Sequence, residues 1–236
     1  MIEFVQETGS TNSDLLARLA GGEHLHEGQW LVADRQIAGR GRQGRDWFDG
    51  SGNFMGSTVV HCAPSDPPAA TLALLAGLAL YETCLPLCPD PSLLKLKWPN
   101  DLLLGRAKLA GILLEAQGAS VVVGIGVNLA AAPELPDRAT TALSRIGPVP
   151  ARDHFAERLS TQFATELGRW RTYGLETVLR RWMGAALPLG TPLSVHDADK
   201  KSQTGQFAGL AEDGSLLLRL EDDTIRVIHA GDVMLA

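Results

Sequence analysis

The chain has 236 residues, 45% hydrophobic and 20% charged, with 21 Lys and Arg against 27 Asp and Glu. That balance fits one sizeable core with a small appendage and excludes a disordered or membrane-spanning chain. A formal net charge of −6 also excludes a general nucleic-acid binder, which needs a basic face, so any anion site must be a local cluster of cations.

Met1-Ile2-Glu3-Phe4 lacks the basic-then-apolar order of a signal peptide. Ile2 to Val5 reads as a strand, and Ser10 or Thr11 is placed to cap a helix with Leu15, Leu16 and Leu19 on one face. Trp30 to Ala33 predicts a buried strand. From Gly39 to Gly52 the chain is too crowded with glycine and arginine for regular structure, and Thr58 to His61 resumes a strand. Proline and alanine at 67–70 open a helix to Cys84, closed by prolines at 86, 89 and 91. Its most apolar window, 69–81, falls short of the roughly 20 residues a bilayer span needs and is read as buried.

Strands follow over 93–98, 102–104, 109–116 and 121–127, with a turn at Gly105, and together predict a mixed sheet. Residues 151–183 carry Phe155, Leu159, Phe163, Leu167 and Trp170 on one helical face, with a break near Gly174 and resumption through Trp182; this helix is expected to cover the sheet. Beyond 187–190 the pattern changes to short strands, among them Phe207 to Leu210 and Leu216 to Leu220 about the turn Asp213-Gly214. The expected organisation is therefore α+β, with a main domain over 1–186 and a β module over 187–236. Cys62, Cys84 and Cys88 show no metal-type pairing and suit a reducing compartment.

Three segments carry chemistry. Gly39-Arg40-Gly41-Arg42-Gln43-Gly44-Arg45 satisfies G-x-G-x-x-G, yet Trp47, Phe48, Gly50, Ser51 and Gly52 occupy the place of a crossover helix, so a dinucleotide reading fails. Its arginines are spaced by glycines, which lets guanidinium groups and bare N–H groups converge on one polyanion, such as a phosphate. On local evidence a solvated loop fits equally well; an RNA-binding arginine-glycine segment is disfavoured by one short copy on an acidic chain. Lys108 enters an apolar strand, where its ammonium would act strongly on a carboxylate or phosphate in a partly desolvated pocket, and Gly111 would admit a ligand to the backbone. Taken singly, Lys108 reads as a solvated strand end, Asn100 and Asp101 as turn residues, Trp47 and Trp98 as core. Val121 to Asn128 ends a buried strand with glycines and an amide at the sheet edge.

Together, Gly9-Ser10-Thr11-Asn12, GRGRQGRDW at 39–47, KWPND at 97–101, KLAGIL at 108–113 and Gly124 to Asn128 resemble the biotin–protein ligase family, in this order and over essentially the whole chain. The resemblance implies a mixed sheet covered by helices, of the class II synthetase or biotinyl/lipoyl ligase kind, with a C-terminal SH3-like β-barrel. It implies that Ser10, Thr11, Asn12 and Gln36 hold the biotin head group, joined by Arg40, Gly41, Arg42, Lys108 and Gly111. It further implies adenylate contacts from Arg40, Arg42, Arg45, Trp47, Asn100, Asp101, Lys108 and Asn128, with Lys108 and Arg42 as the catalytic pair and the arginine loop as a lid that orders on the ligand.

ATP with Mg²⁺ is the implied co-substrate and ion. Asp101 is the nearest carboxylate by motif, both to the metal and to the incoming lysine of the implied partner, a biotin carboxyl carrier protein of acetyl-CoA carboxylase or a related carboxylase. The catalytic motifs begin at Gly9, so no DNA partner is expected; nor is a membrane. The family contains monomers and sheet-extending homodimers, and a cytoplasmic location is expected. Two rivals stay open at this point: a lipoate–protein ligase or octanoyltransferase of related fold, and a catalytically inactive biotin-sensing module.

Overall fold

The computed structural model describes residues 1–196 and 202–236. Strand β1 (Ile2–Thr8) pairs in parallel with β2 (Trp30–Gln36), and the crossover between them is helix α1 (Thr11–Ala20). From β2 the sheet continues antiparallel through β3 (Phe54–His61), β7 (Ser120–Val127), β6 (Ala107–Gln117), β5 (Asp101–Leu104) and β4 (Leu94–Lys97). One parallel pair and five antiparallel ones make the mixed sheet that the sequence predicts.

Period-two alternation then decides what each face carries. Val121, Val123, Ile125 and Val127 of β7 join the large core beneath helices α2 (Leu72–Cys84) and α3 (Arg152–Ala185). Val122 points the other way, into a small cluster with Leu15, Leu25, Leu31 and Val59 under α1. The next residues on that second face are Gly124 and Gly126. There β7 has no side chains of its own, and a hollow is left beside α1.

With its flanking turns, the helical run Ala69–Leu87 is longer than the 69–81 window and has the length and apolarity of a bilayer span. It nevertheless packs between sheet and α3, with Leu72, Leu75, Ala76 and Ala79 fully buried, as a core helix does. In α3 the helical path breaks at Gly174, whose φ of 73° only glycine adopts cheaply. Across that break the fully buried Glu166 accepts from Arg169 at 2.7 Å and from Arg181, which also reaches Glu82 of α2 at 2.9 Å. Two guanidiniums compensate the buried carboxylate, as burial of a charge requires.

One local expectation is corrected. Ser10 occupies the N-cap position of α1 with extended backbone, yet its side chain makes no capping bond, and Thr11 turns its hydroxyl to Gln36 instead. Both residues are committed to the hollow rather than to the helix end.

The C-terminal strands β8 (Pro192–His196), β9 (Ser202–Leu210), β10 (Leu216–Arg219), β11 (Ile225–Ile228) and β12 (Asp232–Leu235) form a sheet in the order β11-β10-β9-β8-β12. Among the described residues β11 and β12 do not pair, so the expected barrel is open. Leu193, Val195, Phe207, Leu218 and Val233 share one apolar cluster with Leu94, Leu96 and Trp182. Trp98 Nε1 donates to Gly214 O at 2.9 Å, and Leu187 N to Leu96 O at 3.0 Å.

Candidate active site

Strand register aligns Met55, Gly126, Gly111 and Asp101 across β3, β7, β6 and β5, with Ser57, Gly124 and Leu113 in the next row. The glycines are places that other atoms already occupy. A Cβ on Gly126 would lie 2.2 Å from the Trp47 indole, and one on Gly124 would lie 2.2 Å from Asn12 Oδ1. On Gly111 it would meet Lys108 Nζ at 3.0 Å and Trp47 at 3.2 Å. Above this floor is a cavity of about 540 Å³.

Every site residue singled out from the sequence lines that cavity: Ser10, Thr11, Asn12 and Gln36; Arg40, Gly41, Arg42, Arg45 and Trp47; Asn100, Asp101, Lys108, Gly111 and Asn128.

One end is a neutral hydrogen-bonding network. Gln36 Oε1 accepts from Thr11 N at 2.8 Å and from Thr11 Oγ1 at 3.0 Å, and the Thr11 and Ser57 hydroxyls lie 2.7 Å apart. Ser57 Oγ donates to Asn12 Oδ1 at 2.6 Å, and Asn12 Nδ2 donates to Glu115 Oε2 at 2.8 Å. Ser10, Thr11, Asn12 and Ser57 are all buried. Each hydroxyl has one proton, so Thr11 turned to Gln36 and Ser57 turned to Asn12 leave their mutual contact without a donor, and it becomes a hydrogen bond only when one of them turns.

The other end is cationic. Asp101 accepts from Lys108 Nζ at 2.6 Å and Lys97 Nζ at 2.8 Å, and Lys97 also donates to Val233 O at 2.5 Å. Burial pushes the Asp101 carboxyl up, but the Lys108 and Lys97 charges together outweigh it and hold the group well below the usual carboxylate range. Asp101 is therefore unsuited to accept a proton near neutral pH. It serves instead to aim two ammonium groups, and the Lys108 ammonium stands 5.8 Å from the Trp47 ring centroid.

Arg42 donates to Asn100 Oδ1 at 3.0 Å and to Gly231 O at 2.9 Å; Asn100 in turn is fixed by Nδ2 to Ile112 O at 2.7 Å. Burial lowers the Arg42 pKa, with Asp232 and Asp101 opposing, and the guanidinium stays charged. Arg45 pairs with Asp232, while Arg40 reaches Ser13 Oγ at 2.7 Å and Glu115 at 3.2 Å. Inside the loop, the bridge Arg40–Asp46 and a turn over Arg42–Gly44 bring the guanidiniums to bear, with Gln43 in the left-handed region at φ 58°.

Between the two ends, Trp47 Nε1 and Asn128 Oδ1 are buried with no hydrogen-bond partner among the described residues. Leaving such a group unpaired costs about 1–3 kcal/mol, and both residues line the cavity. Asn128 is held ready by Nδ2 donating to Thr141 O at 3.1 Å. Together these groups suit a ligand with a compact polar head, an anionic centre and a flat heterocycle. No group of three His, Cys, Asp or Glu side chains that would hold a metal occurs among the described residues.

Sequence reasoning missed Ser57, Glu115, Lys97, Arg138 and Asp232. Ser57 had only a weak signal, as one of two neighbouring hydroxyl residues, with Thr58, in a largely apolar strand, and the alternation Gly124, Gly126 signalled a bare strand face. Asp232 had none: it meets Arg45 across 187 positions.

Residues 5–130 match the family described as Biotin/lipoate A/B protein ligase, and residues 191–235 match the Biotin protein ligase C terminal domain. The chain is 38% identical over 227 residues to a biotin–[acetyl-CoA-carboxylase] ligase of Paracoccus denitrificans, covering 92% of this chain and 93% of that one. A ligase of the same name from Mycobacterium tuberculosis is 35% identical over 239 residues, covering 99% and 88%. The solved structure of the biotin protein ligase from Aquifex aeolicus in complex with biotin and ATP is similar at a TM-score of 0.87, with 25% identity over 100% of this chain and 99% of that one.

Proposed function

The chain belongs to the biotin/lipoate A/B protein ligase family, and from that premise we infer that it is a biotin–protein ligase: it forms biotinyl-5'-AMP from biotin and ATP and passes biotin to a lysine of a carboxylase carrier protein. The observation that carries the reading is one cavity with a neutral hydrogen-bonding end at Thr11, Asn12 and Gln36 and a cationic end at Lys108, Arg42 and Arg45. The ureido ring of biotin needs short donors and acceptors, and the reaction needs cations.

Biotin's carboxylate and the α-phosphate of ATP repel one another. Lys108 and Arg42 neutralise both and the charge that develops as the carboxylate oxygen bonds to phosphorus and the bond to the bridging oxygen breaks. A preorganised group of this kind contributes about 10²–10³ in rate. Trp47 and Asn128, which line the cavity, are assigned to the adenine. Asn100 acts through Arg42, which it holds.

Mg²⁺ would come with the ATP phosphates and neutralise their charge; Asp101, the nearest carboxylate by motif, is already engaged by Lys97 and Lys108. In the second step the carrier amine attacks the carbonyl carbon of the mixed anhydride and AMP leaves. The amine attacks as the free base, AMP takes the electron pair of the broken C–O bond as its phosphate, and the proton released from nitrogen passes to water. The arginine loop excludes water from the anhydride in the interval.

We assign residues 1–186 to the catalytic domain and 187–236 to a smaller C-terminal one, and the enzyme to the cytoplasm, where its three free cysteines stay reduced.

The test is ATP-dependent transfer of labelled biotin to a biotin carboxyl carrier domain, with lipoate and octanoate competing. Transfer of biotin alone upholds the reading; transfer of lipoate keeps the fold and moves the substrate. Binding of biotin with no transfer would make the chain a regulatory module.

A further inference from the structure

Behind the main cavity lies a second one, of about 250 Å³. Lys97, Asp101, Lys108, Asp137 and Arg138 line both, so the two adjoin across the lysine–aspartate clamp. Arg106 lines only the second. It is exposed, and its guanidinium donates to Ala236 O at 3.0 Å. Four cations, Lys97, Lys108, Arg106 and Arg138, face the side-chain carboxylates of Asp101 and Asp137, and Arg106 also holds the carboxylate of the last residue, Ala236, which leaves a net charge of +1. The volume is below the range of about 300–1,000 Å³ that holds a whole drug-sized ligand. A small polyanion is the chemistry that fits.

Adenylate formation creates such an anion at this wall. When the biotin carboxylate oxygen bonds to the α-phosphorus, the electron pair of the broken bond leaves with the bridging oxygen as pyrophosphate. The arginine loop must stay closed to keep water from the adenylate, since Arg42 and Arg45 are tied to Gly231 and Asp232. A leaving group formed beside Lys108 then has the cationic side cavity next to it.

We propose that this second cavity is a pyrophosphate site, entered from the main cavity past Lys108 and Arg138 and opening at Arg106, which takes up the leaving group while the loop remains shut. The proposal rests on the ligase reading for the origin of the pyrophosphate, but not for its binding.

The test uses the full chain and inorganic pyrophosphate, with inorganic phosphate as control. Calorimetry gives the Kd for pyrophosphate, and inhibition of biotinyl-adenylate formation gives a second value. Arg106→Glu is expected to weaken both about tenfold, with the KM for ATP and for biotin within about twofold of wild type, and Arg106→Lys to restore them. Unchanged pyrophosphate binding in Arg106→Glu overturns the proposal. So does a KM for ATP that rises in step, because the cavity then holds the tail of bound ATP. If the wild-type chain makes no adenylate yet binds pyrophosphate in an Arg106-dependent way, the site stands and the ligase reading falls.

Discussion

On the sheet side of the main cavity, Thr11, Asn12 and Ser57 are buried, with Thr11 bonded to Gln36 and Ser57 to Asn12 before any ligand arrives. On the loop side, Arg40 and Arg45 are 46% and 33% exposed, and the three arginines are held by Glu115, Gly231 and Asp232. The floor thus resembles a finished binding surface. The loop is latched by a few partly exposed contacts. Recognition of a head group needs the first, because a misplaced amide costs affinity at once. Retention of a reactive intermediate needs the second, because contacts that break and re-form let the loop admit a ligand and then shut over it.

Substitutions can break this contrast. The largest effect is expected where the two sides meet: Lys108→Ala should lower adenylate formation by about 10²–10³-fold with an unchanged circular dichroism spectrum, since Lys97 still compensates Asp101. A wild-type rate in quenched-flow would remove Lys108 from the chemistry. Next, Gly126→Ala should spoil the floor by displacing Trp47, at a cost of about 10²-fold in kcat/KM for ATP, readable also as a shift in tryptophan fluorescence. Ser57→Ala should raise the Kd for biotin about tenfold by freeing Asn12, and leave kcat nearly unchanged.

Smaller effects belong to the loop and to its anchor. Asp232→Asn should speed leakage of adenylate into water only about two- to fivefold, an effect that fades as salt rises, because the pair is partly exposed. If leakage instead matched that of an Arg42→Ala variant, the latch would be as rigid as the floor. The Asp101 clamp should be silent at neutral pH. Its folded-state pKa is depressed, so its contribution to stability is fully present above the unfolded value of about 4 and is lost as pH falls below it. Chemical denaturation of wild type and Asp101→Asn across acidic pH should show the slope in wild type and a flatter profile in the variant.

Much of this was legible in the sequence because it is local. The strands, the break at Gly174 and the cation-bearing segments follow from periodicity, glycine placement and short motifs, and the folded chain gathers those segments around one cavity. What escaped is what depends on distant partners. Ser10 stands at the N-cap position yet makes no capping bond, Thr11 is taken up by Gln36 across 25 positions, and Asp101, which taken singly reads as a turn residue, is buried between two lysines. The open edge between β11 and β12 had no local signal, since strand pattern says where strands lie but not whether the last one closes the ring.

The tie between Arg45 and Asp232 also sets an order of events in the life of the molecule. The arginine leaves the ribosome 187 residues ahead of the acceptor that anchors it. Until β12 is made, the loop has neither the Gly231 carbonyl nor the Asp232 carboxylate to fasten to, and Lys97 lacks its bond to Val233 O. A nascent chain with every catalytic motif already translated therefore carries an unlatched lid, and competence arrives with the last strand.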